Sequence, residues 1–352
     1  VRKLTMYDSI VIGCGQAGLA IAYYLKKTNQ NFLLLDKGSE IGGTWKERYD
    51  SLLLFTPRAY SSLPGLPLSG EAQGFPTKDE IVEYPKNYVE KFDFPIHLNE
   101  EVIHVNKVDD TFLIKTNKNE YRAKNVVVAT GPFQTPNIPS FSKNLSPAIY
   151  QLHSSQYKNP RQLINGNVLV VGGGNSGAQI AVELSKEKDT YIAISKTLNY
   201  LPLVIRDKSI FYWFDKVGIL KVKSNSFFAR ILQKRGDPIF GFELKKAITN
   251  NEVKVKKRVM NANGNELLFE DNSTLKVSNI IWATGFKTEF PWLKIAGILD
   301  EQGNVLHSRG VSNIDGLYFI GLPWQYRRGS ALLQGVGYDA KYIVAKMNEK
   351  IY

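Results

Sequence analysis

The chain has 352 residues, 43% of them hydrophobic and 22% charged, with 45 Lys and Arg against 33 Asp and Glu for a formal charge of +12. At about 100–200 residues per domain this length predicts two or three domains, each able to bury a core. The composition excludes a disulfide-stapled mini-protein, a disordered chain and a collagen-like repeat. The positive charge leaves a nucleic acid, an anionic membrane or a polyanionic ligand open as partners.

The opening VRKLTMYDSIVIG has no long apolar run ending in a small-residue cleavage site, so no signal peptide is expected and the reading is a cytoplasmic protein. Residues 7–12 (YDSIVI) predict a buried strand. GCGQAG follows and gives Gly13-x-Gly15-x-x-Gly18, then a helical LAIAYYLKKT, then a second strand, NFLLLD, ending at Asp36. The single cysteine, Cys14, lies in this glycine turn. It rules out an internal disulfide, a CxxC pair and a multi-cysteine metal site, and it fits a reducing compartment. The four histidines (His97, His104, His153, His307) form no HExxH and no i, i+4 pair, so a zinc hydrolase and a metal centre are not expected.

The pattern returns in the second half. NVLVV (167–171) predicts a strand, GGGNSG gives Gly172-x-Gly174-x-x-Gly177, AQIAVELSKE a helix, and TYIAIS a strand ending at Ser195. In each copy 23 residues separate the first glycine from the strand-end residue. Two such units in strand–turn–helix–strand context predict an α/β protein with two Rossmann-like dinucleotide-binding domains. The first glycine makes the tight turn, the second admits a pyrophosphate, and the third lets helix and strand pack closely. The helix N-terminus then offers free N–H groups to phosphate. Asp36 suits the ribose diol of FAD or NAD. Ser195 and Lys196 instead offer a hydroxyl and a cation, which suits the 2′-phosphate of NADPH.

Each unit has a second apolar strand that breaks at Thr-Gly: VVVATGP with Thr130-Gly131, and IIWATGF with Thr284-Gly285. They mark where the chain passes between domains beside the cofactors. His153 reads as a hydrogen-bonded linker residue near that junction rather than an acid or base. The run Ile210 to Leu220 is too short for a membrane span and contains Asp215 and Lys216. Its aromatics, residues 211–214, are left open between partly buried core, a substrate lid and a membrane-surface patch. GLYFIGLPW (316–324) predicts a buried strand, and a last helix is entered between Ser330 and Gln334.

Together these motifs resemble the flavin-containing monooxygenase-like flavoproteins, and most closely the bacterial CzcO-like members. Gly13-x-Gly15-x-x-Gly18 with Asp36 is similar to their FAD site, and Gly42-Gly43-Thr44-Trp45 to their GGTW. LLLFTPRAYSSLPG (52–65), FPTKDEIVEY (75–84), LHSSQY (152–157) and RDKSIFYWFDKVGIL (206–220) are similar to further stretches of that group. There are two departures. Pro147 and Ile149 stand where the family's signature has Phe and Gly, and Phe55 stands where animal-type members have an Asn near the flavin. An aromatic ring cannot hydrogen-bond as that amide does.

The resemblance implies FAD and NADPH as cofactors. The cofactor-binding residues expected are Gly13, Gly15, Gln16, Ala17, Gly18, Asp36, Lys37, Gly43, Thr44, Trp45, Val102, Thr130, Gly131, Gly172, Gly174, Asn175, Ser176, Gly177, Ser195, Lys196, Thr284, Gly285 and Gln334. No catalytic residue is singled out, because the cofactors carry the chemistry. The domains implied are a discontinuous FAD-binding domain over 1–158 and 287–352, with an NADPH-binding domain over 159–286 inserted in it. The Pro/Asn-rich stretches 132–140 and 159–166 would carry the chain out, and ATGFKTEFPW would bring it back.

The function implied is a monooxygenase that passes one oxygen atom of O2 to a small organic substrate through a flavin C4a-hydroperoxide. Two alternatives stay open: an NADPH-dependent flavoprotein reductase or oxidase without oxygenation, and a flavin redox sensor or accessory of cation transport. The partners expected are the small-molecule substrate and O2. No nucleic acid is expected, and a homo-oligomer is left open. Between Lys196 and Arg258 there are 15 basic and 5 acidic residues. That excess favours steering of a polyanionic dinucleotide, with peripheral contact to an anionic membrane as the runner-up.

Overall fold

The computed structural model describes residues 5–349; the ends of the expected domain span, 1–4 and 350–352, lie outside the described residues. Strand β1 (Met6–Ile12) turns into α1 (Gln16–Lys26) and returns as β2 (Phe32–Leu35). Helices α2 (Gly43–Lys46) and α3 (Lys78–Phe92) follow, then β3 (Ile96–His97), β4 (Val102–Val108), β5 (Thr111–Thr116) and β6 (Glu120–Val128). β1 lies between β2 and β6 and is parallel to both, with Ile10 opposite Leu33 and Val126. β4 and β5 form an antiparallel hairpin that continues onto β6.

The side chains of these central strands alternate between two cores, as a period of two requires. Val11, Leu34 and Val127 face α1 on one side. Ile10, Leu33, Val126 and Val128 share the other core with Phe112 and with Leu317 and Phe319 alongside them in the sheet. Burial on both faces explains why these strands read as continuous apolar runs. α3 starts at a complete capping box, Thr77 with Glu80, which fixes where the preceding loop ends.

The chain leaves this sheet through β7 (Thr135–Pro136) and builds a second one from β8 (Tyr150–His153), β9 (Val168–Val171), α4 (Asn175–Leu184) and β10 (Thr190–Ala193). A long excursion follows: β11 (Tyr200–Leu201), β12 (Val204–Ile205), β13 (Lys208–Ser209), α5 (Ile210–Lys216), α6 (Phe227–Arg235), β14 (Ile239–Phe240) and α7 (Glu243–Thr249). β15 (Val253–Lys256) rejoins the sheet. An antiparallel meander of β16 (Val259–Asn263), β17 (Glu266–Phe269) and β18 (Thr274–Lys276) leads to β19 (Asn279–Trp282). The second sheet is parallel throughout, in the order β15-β10-β9-β19-β8.

After β20 (Phe286–Lys287) the chain returns to the first sheet through β21 (His307–Ser308), β22 (Val311–Ser312) and β23 (Leu317–Phe319), which lies parallel to β6. α8 (Leu333–Glu349) then packs its Val336, Ala340 and Ile343 into the core that α1 faces. The second sheet is thus nested in sequence within the first.

One sequence expectation is corrected. The boundary at 158/159 places residues 150–158 with the first unit, yet β8 pairs residue by residue with β19, Tyr150 opposite Asn279 and His153 opposite Trp282. β8 is a four-residue edge strand with no glycine turn after it, so its sequence carries no sign of its sheet. β10 also ends at Ala193, two residues before the predicted end at Ser195. Among the described residues no helix is long and apolar enough to cross a membrane.

Candidate cofactor and substrate site

The two glycine turns repeat each other in three dimensions. Gly13 and Gly172 lie at φ +106 and +116, and a Cβ on either would fall 2.7 Å from the Ala129 carbonyl or 2.3 Å from that of Ala283. A Cβ on Gly18 would lie 1.9 Å from the Gly13 carbonyl, and one on Gly177 2.1 Å from that of Gly172. These four glycines are required by the protein's own backbone. Gly15 and Gly174 differ: a Cβ there would meet nothing within 4 Å. Each is the N-cap residue of its helix, with no side-chain cap, so the first-turn N–H groups of α1 (Gln16, Ala17, Gly18) and α4 (Asn175, Ser176, Gly177) open onto free space. That geometry suits an anion.

Asp36, just past β2, accepts the Cys14 N–H at 2.6 Å and the Gly38 N–H at 2.7 Å. The carboxylate therefore shapes the glycine turn itself, and its remaining lone pairs stay available to a hydroxyl donor. Burial, with the Asp36 charge adding to it, pushes the Cys14 thiol far up, so this cysteine is an inert core residue. Lys37 is exposed beside Asp36, and Val102 is buried at the start of β4. Gly43 and Thr44 open α2, whose Trp45 packs on the core that α1 faces.

Several expected contacts turn out to hold the protein together. The Gln16 side chain donates to the Ala331 carbonyl at 2.6 Å and ties α1 to the loop before α8. The Asn175 amide brackets the β14 approach, donating to the Pro238 carbonyl at 3.0 Å and accepting from the Phe240 N–H at 2.9 Å. Asn175 is thus left with its backbone N–H to offer. Ser195 and Lys196 are exposed past the end of β10, and Lys196 forms no ion pair among the described residues. Gln334 stands in the first turn of α8.

The two Thr-Gly breaks meet. β7 and β20 pair antiparallel, Thr135 opposite Lys287 and Pro136 opposite Phe286. The Thr284 hydroxyl donates to the Asn137 carbonyl, and the Asn137 N–H donates to the Gly285 carbonyl at 3.0 Å. Gln134 donates to Thr130 Oγ1 and to the Gly131 carbonyl, both at 2.9 Å. A Cβ on Gly131 or Gly285 would again meet nothing within 4 Å. The carboxyl ends of the two sheets are therefore joined directly, each with its glycine turn alongside.

His153 belongs to this joint. Its Nε2–H donates to the Gly285 carbonyl at 3.0 Å, while Nδ1 accepts from the Ser155 N–H at 3.2 Å. Burial holds its pKa below the usual value, with the Gly285 carbonyl opposing and the Arg48 charge adding, so the ring is a neutral tie. Sequence reasoning missed Arg48. Its guanidinium sits 5.1 Å from the Phe133 ring and 5.4 Å from the Phe286 ring, and it has no carboxylate partner among the described residues. The neighbouring Tyr49 donates to Gln179 on α4 at 2.8 Å.

A cavity of about 520 Å³ opens beside the first turn of α8, lined by Tyr60, Leu63, Asp215, Lys221, Arg327 and Gln334 among others. Tyr60 donates to Asp215 at 3.3 Å and its hydroxyl is pushed up to about 12, by burial first and by the Asp215 charge second. Arg327 Nε is buried without a hydrogen-bond partner among the described residues. Phe211 is 3% exposed and packs with Phe55 and Phe240 next to this cavity wall, while Tyr212 and Trp213 are half-buried. The 211–214 run is thus core at Phe211 and surface at its outer side.

This pairing of a mixed sheet with a parallel one nested in it is also the architecture of a flavin-containing monooxygenase from Stenotrophomonas maltophilia, which superposes with a TM-score of 0.83 at 24% identity over 99% of this chain and 100% of that one. The family model described as pyridine nucleotide-disulphide oxidoreductase matches residues 10–321. The chain belongs to that family. It is an oxidoreductase, similar at 63% identity over 97% of its length to the oxidoreductase CzcO of Bacillus subtilis (strain 168), 99% of which is covered. At 26% identity it also resembles the Arabidopsis thaliana protein named probable indole-3-pyruvate monooxygenase YUCCA3, over 94% of this chain and 85% of that protein. The family's disulphide chemistry has no internal dithiol here, since the chain holds one cysteine and that one is buried.

Proposed function

We propose that this oxidoreductase is an FAD- and NADPH-dependent monooxygenase acting on a small organic substrate. The observation that carries the reading is the junction of the two carboxyl sheet ends through β7 and β20, with an open glycine turn on each side. Two dinucleotides bound at those turns would share one cleft, as electron transfer between them requires. The resemblance to a protein named as a monooxygenase supports oxygen transfer as the outcome.

The residues present fit both groups. The uncapped first turn of α1 and the free lone pairs of Asp36 would take the pyrophosphate and ribose of FAD. The first turn of α4, with Ser195 and Lys196, would take the pyrophosphate and 2′-phosphate of NADPH. When bound, the nicotinamide supplies hydride and the flavin supplies the electrons that activate O2. The chain's own part is orientation and shielding. His153 and the Thr284–Asn137 contact hold the cleft at one width. Phe133 and Phe286, edge to face with centroids 5.3 Å apart, line its edge with apolar surface, and the Arg48 guanidinium lies over both rings. The substrate would enter by the cavity beside α8.

Reductase or oxidase chemistry without oxygen transfer is the second reading. It is favoured by Phe55, which is committed to an aromatic stack and offers no hydrogen bond. The test is the flavin spectrum of the purified protein, first mixed anaerobically with NADPH and then with O2, together with oxygen-isotope analysis of added substrates. Bleaching by NADPH and isotope in a product support the proposal. Hydrogen peroxide as the sole product with every substrate class would leave the second reading, and absence of bound flavin would overturn both.

A further inference from the structure

The excursion between β10 and β15 carries a surface that the cofactor reading does not use. From residue 204 to residue 235 the chain has eight Lys and Arg against two acidic residues, Asp207 and Asp215. All eight cations are exposed, and Asp215 is already 3.6 Å from Lys221. The same segment exposes five large apolar side chains: Val204 at 48%, Ile205 at 39%, Val217 at 68%, Phe227 at 79% and Phe228 at 47%. Within α6 only Ala229 is buried, and Ser226 Oγ caps the helix by accepting the Ala229 N–H at 3.1 Å. α6 is thus closed at its N-terminus by its own chain, with two phenylalanines held in water beside Arg230, Lys234 and Arg235. On α5, Tyr212 lies between Lys208 and Lys216, whose ammonium groups are 6.0 and 5.5 Å from its ring, and Trp213 donates to the Ile205 carbonyl at 3.0 Å.

Exposed phenylalanine and branched aliphatic side chains ringed by cations are the chemistry of a segment that lies in a headgroup layer. The apolar groups enter the acyl boundary and the cations face phosphates. We propose that residues 204–235 are a peripheral docking surface for an anionic lipid bilayer. A second copy of this chain fits less well, because an isologous contact would set eight cations against the same eight. Single-stranded nucleic acid would use stacking rings, whereas three of the five exposed apolar residues are aliphatic.

The test is flotation of the full chain with vesicles of phosphatidylglycerol and phosphatidylcholine, against phosphatidylcholine alone, at low and high salt. The proposal expects binding to the anionic vesicles only, reduced by salt. It expects roughly tenfold weaker binding for Phe227→Ser/Phe228→Ser and for Lys234→Gln/Arg235→Gln. Melting temperature and flavin content should stay unchanged in both variants, since these side chains face water. No binding at low salt would overturn it, as would binding indifferent to both double variants. So would a dimer in light scattering that the phenylalanine variant dissolves, or stronger binding to single-stranded DNA than to the vesicles.

Discussion

Phe55 stacks on Phe240, with ring centroids 4.6 Å apart and planes 15° from parallel. One ring follows α2 in the first unit; the other sits on β14 in the excursion of the second. The pair, with Phe211 5.3 Å from Phe240, is an apolar rivet between units that share few other core side chains. Phe55→Ala should lower stability by about 2–3 kcal/mol, less than for a fully buried ring because Phe55 is only half-buried. Phe55→Leu should recover about half of that. Thermal melting of both variants checks it, and equal melting to the parent would show that the rivet carries no load.

The glycine turns predict a split between folding and binding. Gly15→Ala and Gly174→Ala add a methyl where nothing lies within 4 Å, so both should melt like the parent. If the open space is for pyrophosphate, Gly15→Ala should purify with little flavin and Gly174→Ala should lose NADPH reduction. Gly18→Ala and Gly177→Ala instead drive a methyl to about 2 Å from a carbonyl oxygen, and each should cost at least about 3 kcal/mol. Circular dichroism and flavin absorbance on the four proteins separate the two classes.

Lys196 is exposed and forms no ion pair among the described residues; it stands one position past Ser195, the counterpart of Asp36 in the first unit. Lys196→Ala should lower kcat/KM for NADPH about tenfold, as expected for one lost charge-assisted hydrogen bond, and leave NADH unchanged. Steady-state rates with the two nucleotides decide this; parallel losses would remove Lys196 from 2′-phosphate recognition.

Glu100 is 3% exposed at the edge of the first site, where its N–H donates to the Asp36 carbonyl at 2.9 Å. Burial alone would raise its pKa. Hydrogen bonds from Tyr121 at 2.7 Å, Asn119 at 3.1 Å and Thr116 at 2.8 Å, with His97 beside it, bring it below its ordinary 4.5. A carboxylate whose pKa falls on folding stabilises the protein above the unfolded value, and that contribution fades as pH drops through the folded one. Glu100→Gln should therefore be about 1–3 kcal/mol less stable than the parent near neutrality, the gap closing as pH falls below 4.5. Melting curves across that range measure it.

The features legible in the sequence are those with a strict local rule. Gly13, Gly18, Gly172 and Gly177 are written by backbone crowding, and β1, β2 and β9 by continuous apolar runs. What stayed hidden depends on distant partners. Asn175 reads as a phosphate-loop residue until β14, more than sixty positions later, is seen to occupy its amide. Arg48 is one cation among 45 until the two Thr-Gly turns bring Phe133 and Phe286 against it. β8 is assigned to its sheet only by its pairing with β19. The aromatic run 211–214 divides between core and surface because α5 rests on Phe55 and Phe240, which nothing local foretells.

The β7–β20 pair has a bearing on how this molecule can be taken apart. Adjacent antiparallel strands are only about 5 Å apart, so the second unit leaves and re-enters the first through a neck one strand pair wide. Gln134 and Thr288 flank that neck, and Thr288 Oγ1 already donates to the Pro132 carbonyl at 3.2 Å. A short linker joining them would excise the second unit without stretching the first sheet. The excised piece would begin and end side by side, as an independently clonable module or a circularly permuted one must.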